Sequence, residues 1–324
     1  MIDNLLERLF SGDSLAVSRL ITMVENGDPG ARGAIKKLYK HVGGAHIVGI
    51  TGSVGTGKST LIAKLAQSYR KLDKTVGIIA IDPSSPFTGG ALLGDRVRMQ
   101  ELTGDKGVFI RSMGTRGELG GLAVATNDVI NILDAFKRDI IIVETIGIGQ
   151  DEINVESFVH TLVVVTMPGG GDAIQSIKAG ILEVGDIYVV NKADRPEASR
   201  TFSELEFMLE MGANDDKKWK RCIVQTVATM NRGIDELIGK IEEHHKYLVE
   251  TGKIDEKRTR RSKAELLKIV NRMVTLAVEK AVGEKGEHRE LLEKMALTGE
   301  IDPYTVADVV FKNLKDTCGE EQGD

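Results

Sequence analysis

The sequence predicts an α/β fold with a mostly parallel sheet flanked by helices, N-terminal helices before it and a helical C-terminal arm after it. Three observations point there. Seven short aliphatic runs alternate with helical stretches between His46 and Ala228. The first run leads straight into a glycine-rich turn and then a helix. After about Lys246 such runs stop, and charged residues with apolar ones at helical spacing take over.

The N-terminal segment, 1–42, reads as two or three short helices. Leu5, Leu6 and Leu9 are spaced like one helix face, and Asp28-Pro29 opens a helix as N-cap and first-turn residue. Residues 43–250 form the α/β domain, through the runs HIVGIT, TVGIIAID, GVFIRS, DIIIVET, TLVVVTM, DIYVVN and RCIVQTVA. Residues 251–324 form a helical extension, in which Leu266, Val270, Met273, Ala277 and Ala281 recur at helical spacing. The basic run Lys257 to Lys263 suits a solvated helix start better than a phosphate or nucleic-acid site. Val306, Val309, Val310 and Leu314, with Leu291, Leu292 and Met295, need a cover, either their own chain or a two-fold partner. A homodimer is expected.

Composition narrows the function classes. The chain has 324 residues, 41% of them hydrophobic, enough for a sizeable core. Its 43 Lys and Arg against 48 Asp and Glu leave a charge of −5, which argues against nucleic acid or an anionic membrane as partner. Cys222 and Cys318 belong to no CxxC or Cys/His pattern and read as small apolar residues in a reducing compartment. MIDNLLERLFSGD lacks a signal-peptide apolar run, and no run approaches the roughly 20 residues of a membrane span, so a protein that is cytoplasmic, or stripped of any targeting segment, is expected. His244 and His245 diverge by about 100° on a helix, cannot chelate one ion together and read as solvated. His46, beside the first strand, reads as an edge or core residue.

The strongest chemical signal is Gly52-Ser53-Val54-Gly55-Thr56-Gly57-Lys58-Ser59, followed by Thr60, a complete GxxxxGKS between a strand and a helix. Wrapping phosphates in backbone N–H groups needs glycines at positive φ, and the helix N-terminus adds a favourable field. Lys58 is expected at the β- and γ-phosphates and Ser59 on Mg2+. At the end of a later strand, Asn191-Lys192-Ala193-Asp194 supplies a carboxylate that accepts from guanine N1–H and its exocyclic amine, which adenine cannot match. Asn191 would brace the loop, Lys192 lay its stem along the base, and Thr226-Val227-Ala228 aim the Ala228 N–H at the guanine carbonyl.

Between these segments, Glu144 ends IIIVE and is the carboxylate candidate for Mg2+, and Gly147 can donate its N–H to the γ-phosphate. The position after Gly147, where small GTPases carry a water-orienting glutamine, holds Ile148, so intrinsic hydrolysis is expected to be slow; Gln150 lies two residues on. Asp82 and Asp95 are further metal-ligand or base candidates, or else belong to loop capping. Arg111 and Arg116 either meet phosphate or pair with nearby acids.

GSVGTGKST, IDPSSPFTGGALLGDRVRM, RSMGTRGELGGLA, ETIGIGQDE, PGGGDAIQSIKAGI and NKADR, in that order, resemble the ArgK/MeaB family of P-loop GTPases over roughly residues 10–250. DPYTVADVV resembles that family's C-terminal arm. The resemblance implies a homodimer using GTP/GDP and Mg2+. It also implies a chaperone that gates adenosylcobalamin loading and removal and protects methylmalonyl-CoA mutase or a related acyl-CoA mutase. By motif position, Asp82, Asp95 and Glu144 would surround the metal, and Gly169 to Lys178 would form an extra switch, with Lys178 reaching nucleotide or partner. Val54 departs from the proline of many members. The alternatives are a transport-linked kinase or ATPase of the LAO/AO type, which Asp194 disfavours, and a metal-inserting GTPase, for which six scattered histidines offer no ligand cluster.

Overall fold

The computed structural model describes residues 2–82, 100–102, 104–114, 125–145, 156–169, 184–211, 219–282, 289–295, 299 and 301–320. The chain divides into two compact units, Met1–Arg261 and Ser262–Asp324. The first opens with α1 (Ile2–Phe10), α2 (Ser14–Glu25) and α3 (Pro29–Leu38). Asp13 caps α2 by accepting from the Leu15 N–H at 2.8 Å. Asp28 caps α3 by accepting from the Gly30 N–H at 2.7 Å, with Pro29 in the first turn where no N–H is missed. Leu6 and Leu9 are buried from α1, and Leu20 and Ile21 from α2.

All seven aliphatic runs are strands: β1 (His46–Thr51), β2 (Val76–Asp82), β3 (Val108–Gly114), β4 (Ile140–Glu144), β5 (Thr161–Thr166), β6 (Ile187–Asn191) and β7 (Cys222–Thr226). They form one sheet in the order β3-β2-β4-β1-β5-β6-β7, with every pairing parallel. β1, β4, β5 and β6 are buried along their whole lengths. Both faces are covered, which is why these runs are continuously aliphatic rather than alternating. Parallel strands also gather their C-terminal ends on one edge, so Thr51, Glu144, Asn191 and Thr226 all arrive there.

Helices α4 (Lys58–Lys71) and α7 (Ile234–Glu250) pack together, and Leu61, Leu65, Leu237 and Ile241 share one core with Ile78 and Val163 of the sheet. Helix α5 (Thr126–Ala135) packs against α2 and α3. Its Asp134 accepts from the N–H groups of Gly43, Gly44 and Ala45 at 2.6, 3.1 and 3.0 Å, tying the end of the N-terminal segment to the start of β1. Helix α6 (Ala198–Met211) lies against β6 and β7. Burial pushes the Cys222 thiol up to about 11, as suits a small packing residue.

The edge where the strands begin carries a buried polar network. His46 Nε2 and Thr161 Oγ1 are 2.8 Å apart, Thr161 Oγ1 and His244 Nδ1 are 2.9 Å apart, and His244 Nε2 lies 3.4 Å from Asp186. The His245 ring stacks on His46 with centroids 4.1 Å apart, and Trp219 lies 4.8 Å from His244. This corrects the expectation of two solvated histidines. His244 is 1% exposed because α7 lays that face on the strand starts, and His245 is half-buried. His46 is buried at the strand start, as expected.

Helix α8 (Lys253–Val282) runs from the first unit into the second. The second unit continues with α9 (Arg289–Glu293) and α10 (Pro303–Glu320), the latter capped by Asp302, which accepts from the N–H groups of Tyr304 and Thr305 at 2.9 and 3.1 Å. Val306 and Val310 are buried, while Leu266, Val270, Met273 and Tyr304 stand exposed, Leu266 at 60%. Among the described residues no helix is long and apolar enough to cross a membrane.

The histidine network sets a pH dependence. His160, buried with its ring centroid 6.1 Å from that of His46, joins His46, His244 and His245, and burial lowers all four imidazoles, His46 well below its ordinary value, His160 to about 3, His244 to about 4, and His245 downward. The unfolded chain therefore takes up protons near pH 6.5 that the folded protein refuses, and stability present above that pH is lost as pH falls from about 6.5 toward 4. Urea midpoints at pH 7.5 and 5.0 check this: the lower pH should give the lower midpoint, and equal midpoints would contradict it.

Candidate nucleotide-binding site

The end of β1 turns into the phosphate loop through Gly52 at φ 139°, where a Cβ would sit 2.0 Å from the Val165 carbonyl oxygen of β5. Gly57 caps α4 at φ 91°, where a Cβ would sit 2.6 Å from Asn191 Nδ2. Neighbouring strands approach the loop so closely that glycine is required at both positions. Lys58, buried in the first turn of α4, donates from Nζ to the carbonyls of Gly52 and Ser53 at 2.6 and 3.1 Å, which holds its ammonium over the loop. Val54, at the loop tip, is 73% exposed.

The β1–β4 register sets Ile50 opposite Glu144, bringing the β4 carboxylate beside the loop. Ser59 Oγ donates to Glu144 Oε1 at 2.9 Å, and both side chains are buried. A hydroxyl next to a carboxylate is a hard oxygen donor set that fits Mg2+. At the ends of the same two strands, Thr145 Oγ1 donates to Thr51 Oγ1 at 3.0 Å, and both are buried. Sequence reasoning passed over this pair, whose only signal is two threonines at the ends of adjacent strands.

On the other side, Asn191 Nδ2 donates to the Thr56 carbonyl of the phosphate loop at 2.8 Å. Its Oδ1 accepts from Thr226 Oγ1 at 3.0 Å and from the Ala228 N–H at 3.2 Å. One buried amide thus braces the phosphate loop and the loop after β7. Lys192, at φ 58°, donates from Nζ to the Gly55 carbonyl at 2.7 Å and reaches Met167 Sδ at 3.5 Å, so its stem crosses the phosphate loop. The Ala228 N–H, expected to aim at a base, is here engaged by Asn191, and Val227 is tied to Arg232 by a bridge beneath. Asp194 stands exposed beyond the strand end.

Arg111 resolves to the ion-pairing alternative: it pairs with Glu25 of α2 and lies 3.2 Å from Thr22 Oγ1. Asp82 closes β2 on the same edge. Asp95, Arg116, Gly147, Ile148, Gln150 and Lys178, with most of the Gly169–Lys178 segment, lie outside the described residues.

The family model described as methylmalonyl-CoA mutase-associated GTPase MeaB matches residues 17–283. A protein of Pyrococcus abyssi, provisionally named a GTPase, is 50% identical over 97% of both chains. A mouse protein named methylmalonic aciduria type A homolog, mitochondrial, is 30% identical over 97% of this chain and 80% of its own. The crystal structure of an LAO/AO transport system kinase has the same fold, with a TM-score of 0.71, 22% identity and 97% of each chain covered.

The bridging role of Asn191 is open to test. Asn191→Ala removes the partner of the Ala228 N–H and of the Thr56 carbonyl in a buried setting, where each loss costs about 1–3 kcal/mol. Calorimetric titration should then show GDP affinity reduced by about tenfold or more, with a lowered melting temperature. Unchanged affinity would rule out the brace.

Proposed function

The chain belongs to the MeaB family of methylmalonyl-CoA mutase-associated GTPases, and on that premise we propose that it binds GTP with Mg2+, hydrolyses it to GDP and phosphate, and uses the cycle to serve a cobalamin-dependent acyl-CoA mutase. The observation that carries the reading is the placement of Asn191, which joins the phosphate loop to the loop after β7 while Asp194 stands exposed just beyond it.

In this reading the backbone of Gly52 to Thr60 and the N-terminus of α4 receive the phosphates, and Lys58 turns from the Gly52 and Ser53 carbonyls to the β- and γ-oxygens. Ser59 and Glu144 hold Mg2+, which supplies charge neutralisation on the phosphate oxygens. Asp82 and Asp95 are further candidate ligands of the metal in this reading. Asp194 accepts from guanine N1–H and N2–H, with Lys192, Thr226, Val227 and Ala228 walling the base. The Gly147 N–H senses the γ-phosphate. Ile148, in the place of a water-orienting glutamine, leaves the attacking water poorly held, so hydrolysis is slow until a partner contributes. That partner is the mutase; the cycle gates adenosylcobalamin delivery and removal and protects the loaded enzyme, with the Gly169–Lys178 segment and Lys178 as the coupling switch. The setting is the cytoplasm.

The exposed apolar residues of α8, Leu266, Val270 and Met273 among them, support a homodimer built on the C-terminal helices.

Three measurements test the reading. Isothermal titration should find GDP and GTP binding but not ATP, Asp194→Asn should shift preference from guanine toward xanthine nucleotides, and GTP turnover should rise on adding a cobalamin-dependent mutase; ATP preference would overturn the guanine reading, and indifference to the mutase the chaperone reading. Light scattering should give twice the 35.2 kDa chain mass. The double variant L266E/V270E should run as one chain with GDP binding intact, whereas a native monomer would overturn the dimer.

A further inference from the structure

In the basic run that opens α8, Arg258, Arg260 and Lys263 are exposed, as a solvated helix start predicts, but four of its cations also have partners. Lys257 Nζ pairs with Asp186 Oδ2 at 3.3 Å. Arg258 donates to the Gly43 carbonyl at 2.6 Å. Arg260 pairs with Glu156 at 2.9 Å, and Arg261 donates to Asn131 Oδ1 at 2.5 Å. Ile254, one turn earlier, is buried.

The partners are not scattered. Apart from Gly43, which precedes β1, each lies in a connection that carries the chain from the nucleotide edge back to the edge where strands begin. Asn131 lies in α5, downstream of RSMGTRGELGG and upstream of β4. Glu156 follows ETIGIGQDE and precedes β5. Asp186 follows PGGGDAIQSIK and precedes β6. Asp186 is further held by its carboxylate, which accepts from the Leu162 N–H at 2.8 Å and faces His244. Three connections that leave the phosphate edge through candidate switch segments thus end under basic side chains that span about one and a half turns of one helix.

We propose that Lys257, Arg260 and Arg261 form a latch that reports nucleotide state to α8: displacement of the three connections alters how firmly residues 253–261 are held. The inference rests on the nucleotide reading above. Charged pairs suit the task, because half-exposed guanidinium contacts are weak singly and shift readily when their acceptors move, while several acting together hold the helix start. The arrangement also explains why a helix whose later residues are so exposed begins with so many cations.

Hydrogen–deuterium exchange of the full chain over residues 253–261, with GDP and with a non-hydrolysable GTP analogue plus Mg2+, tests the latch. Exchange there should differ by about fivefold between the two states. The double variant R260Q/R261Q, which touches no nucleotide residue, should exchange fast in both states and keep GDP affinity within about twofold of native; R260K/R261K should restore part of the difference. Equal exchange in the two states, with both nucleotides shown bound by calorimetry, overturns the latch and leaves the nucleotide reading standing. Failure of either nucleotide to bind overturns both. The comparison on the native chain decides the matter even where the double variant does not fold.

Discussion

Seven strands running in one direction constrain everything else in the first unit. Parallel pairing forces each connection to cross from one edge of the sheet to the other, so strand ends and strand starts become two chemically different surfaces. At the strand ends, β1 sits between β4 and β5, and the approach of Val165 leaves room only for glycine as the chain exits toward α4. That exit sets the direction of the helix and hence the placement of Lys58 and Ser59. The same parallel register brings Glu144 beside Ser59 and Asn191 beside Thr226.

Buried polar groups on the strand-end surface satisfy one another. Lys58 caps loop carbonyls, Ser59 binds Glu144, and Asn191 uses both ends of its amide. Leaving such groups unpaired in a low-dielectric setting costs more than each bond gains, so the loop holds its shape before a ligand arrives. Lys58 is held over the loop by the Gly52 and Ser53 carbonyls.

The strand-start surface has the opposite character. Histidines there are neutral, stacked and linked through the Thr161 hydroxyl, and Asp186 joins that network to the first turns of α8. Between the two surfaces run the connections that carry the candidate switches. The described ends of those connections carry Asn131, Glu156 and Asp186, which meet the first turns of α8.

Much of this was legible in the sequence, because burial and local turn chemistry leave local marks. Continuous aliphatic runs announced doubly covered strands, GxxxxGKS placed the phosphate loop, Asp28-Pro29 announced a helix start, and Asn191 to Asp194 fell at a strand end as read. What the tertiary structure alone decided is which partner each polar residue meets. Arg111 finds Glu25, His244 leaves water for Thr161, Lys257 finds Asp186, and Asn191 reaches back to Thr56, 135 residues away. Periodicity reports which side chains leave water, but a polar residue at a helix surface carries the same local pattern whether it faces solvent or another element. The difference is made by strand order and crossovers, which bring together segments that no local rule relates.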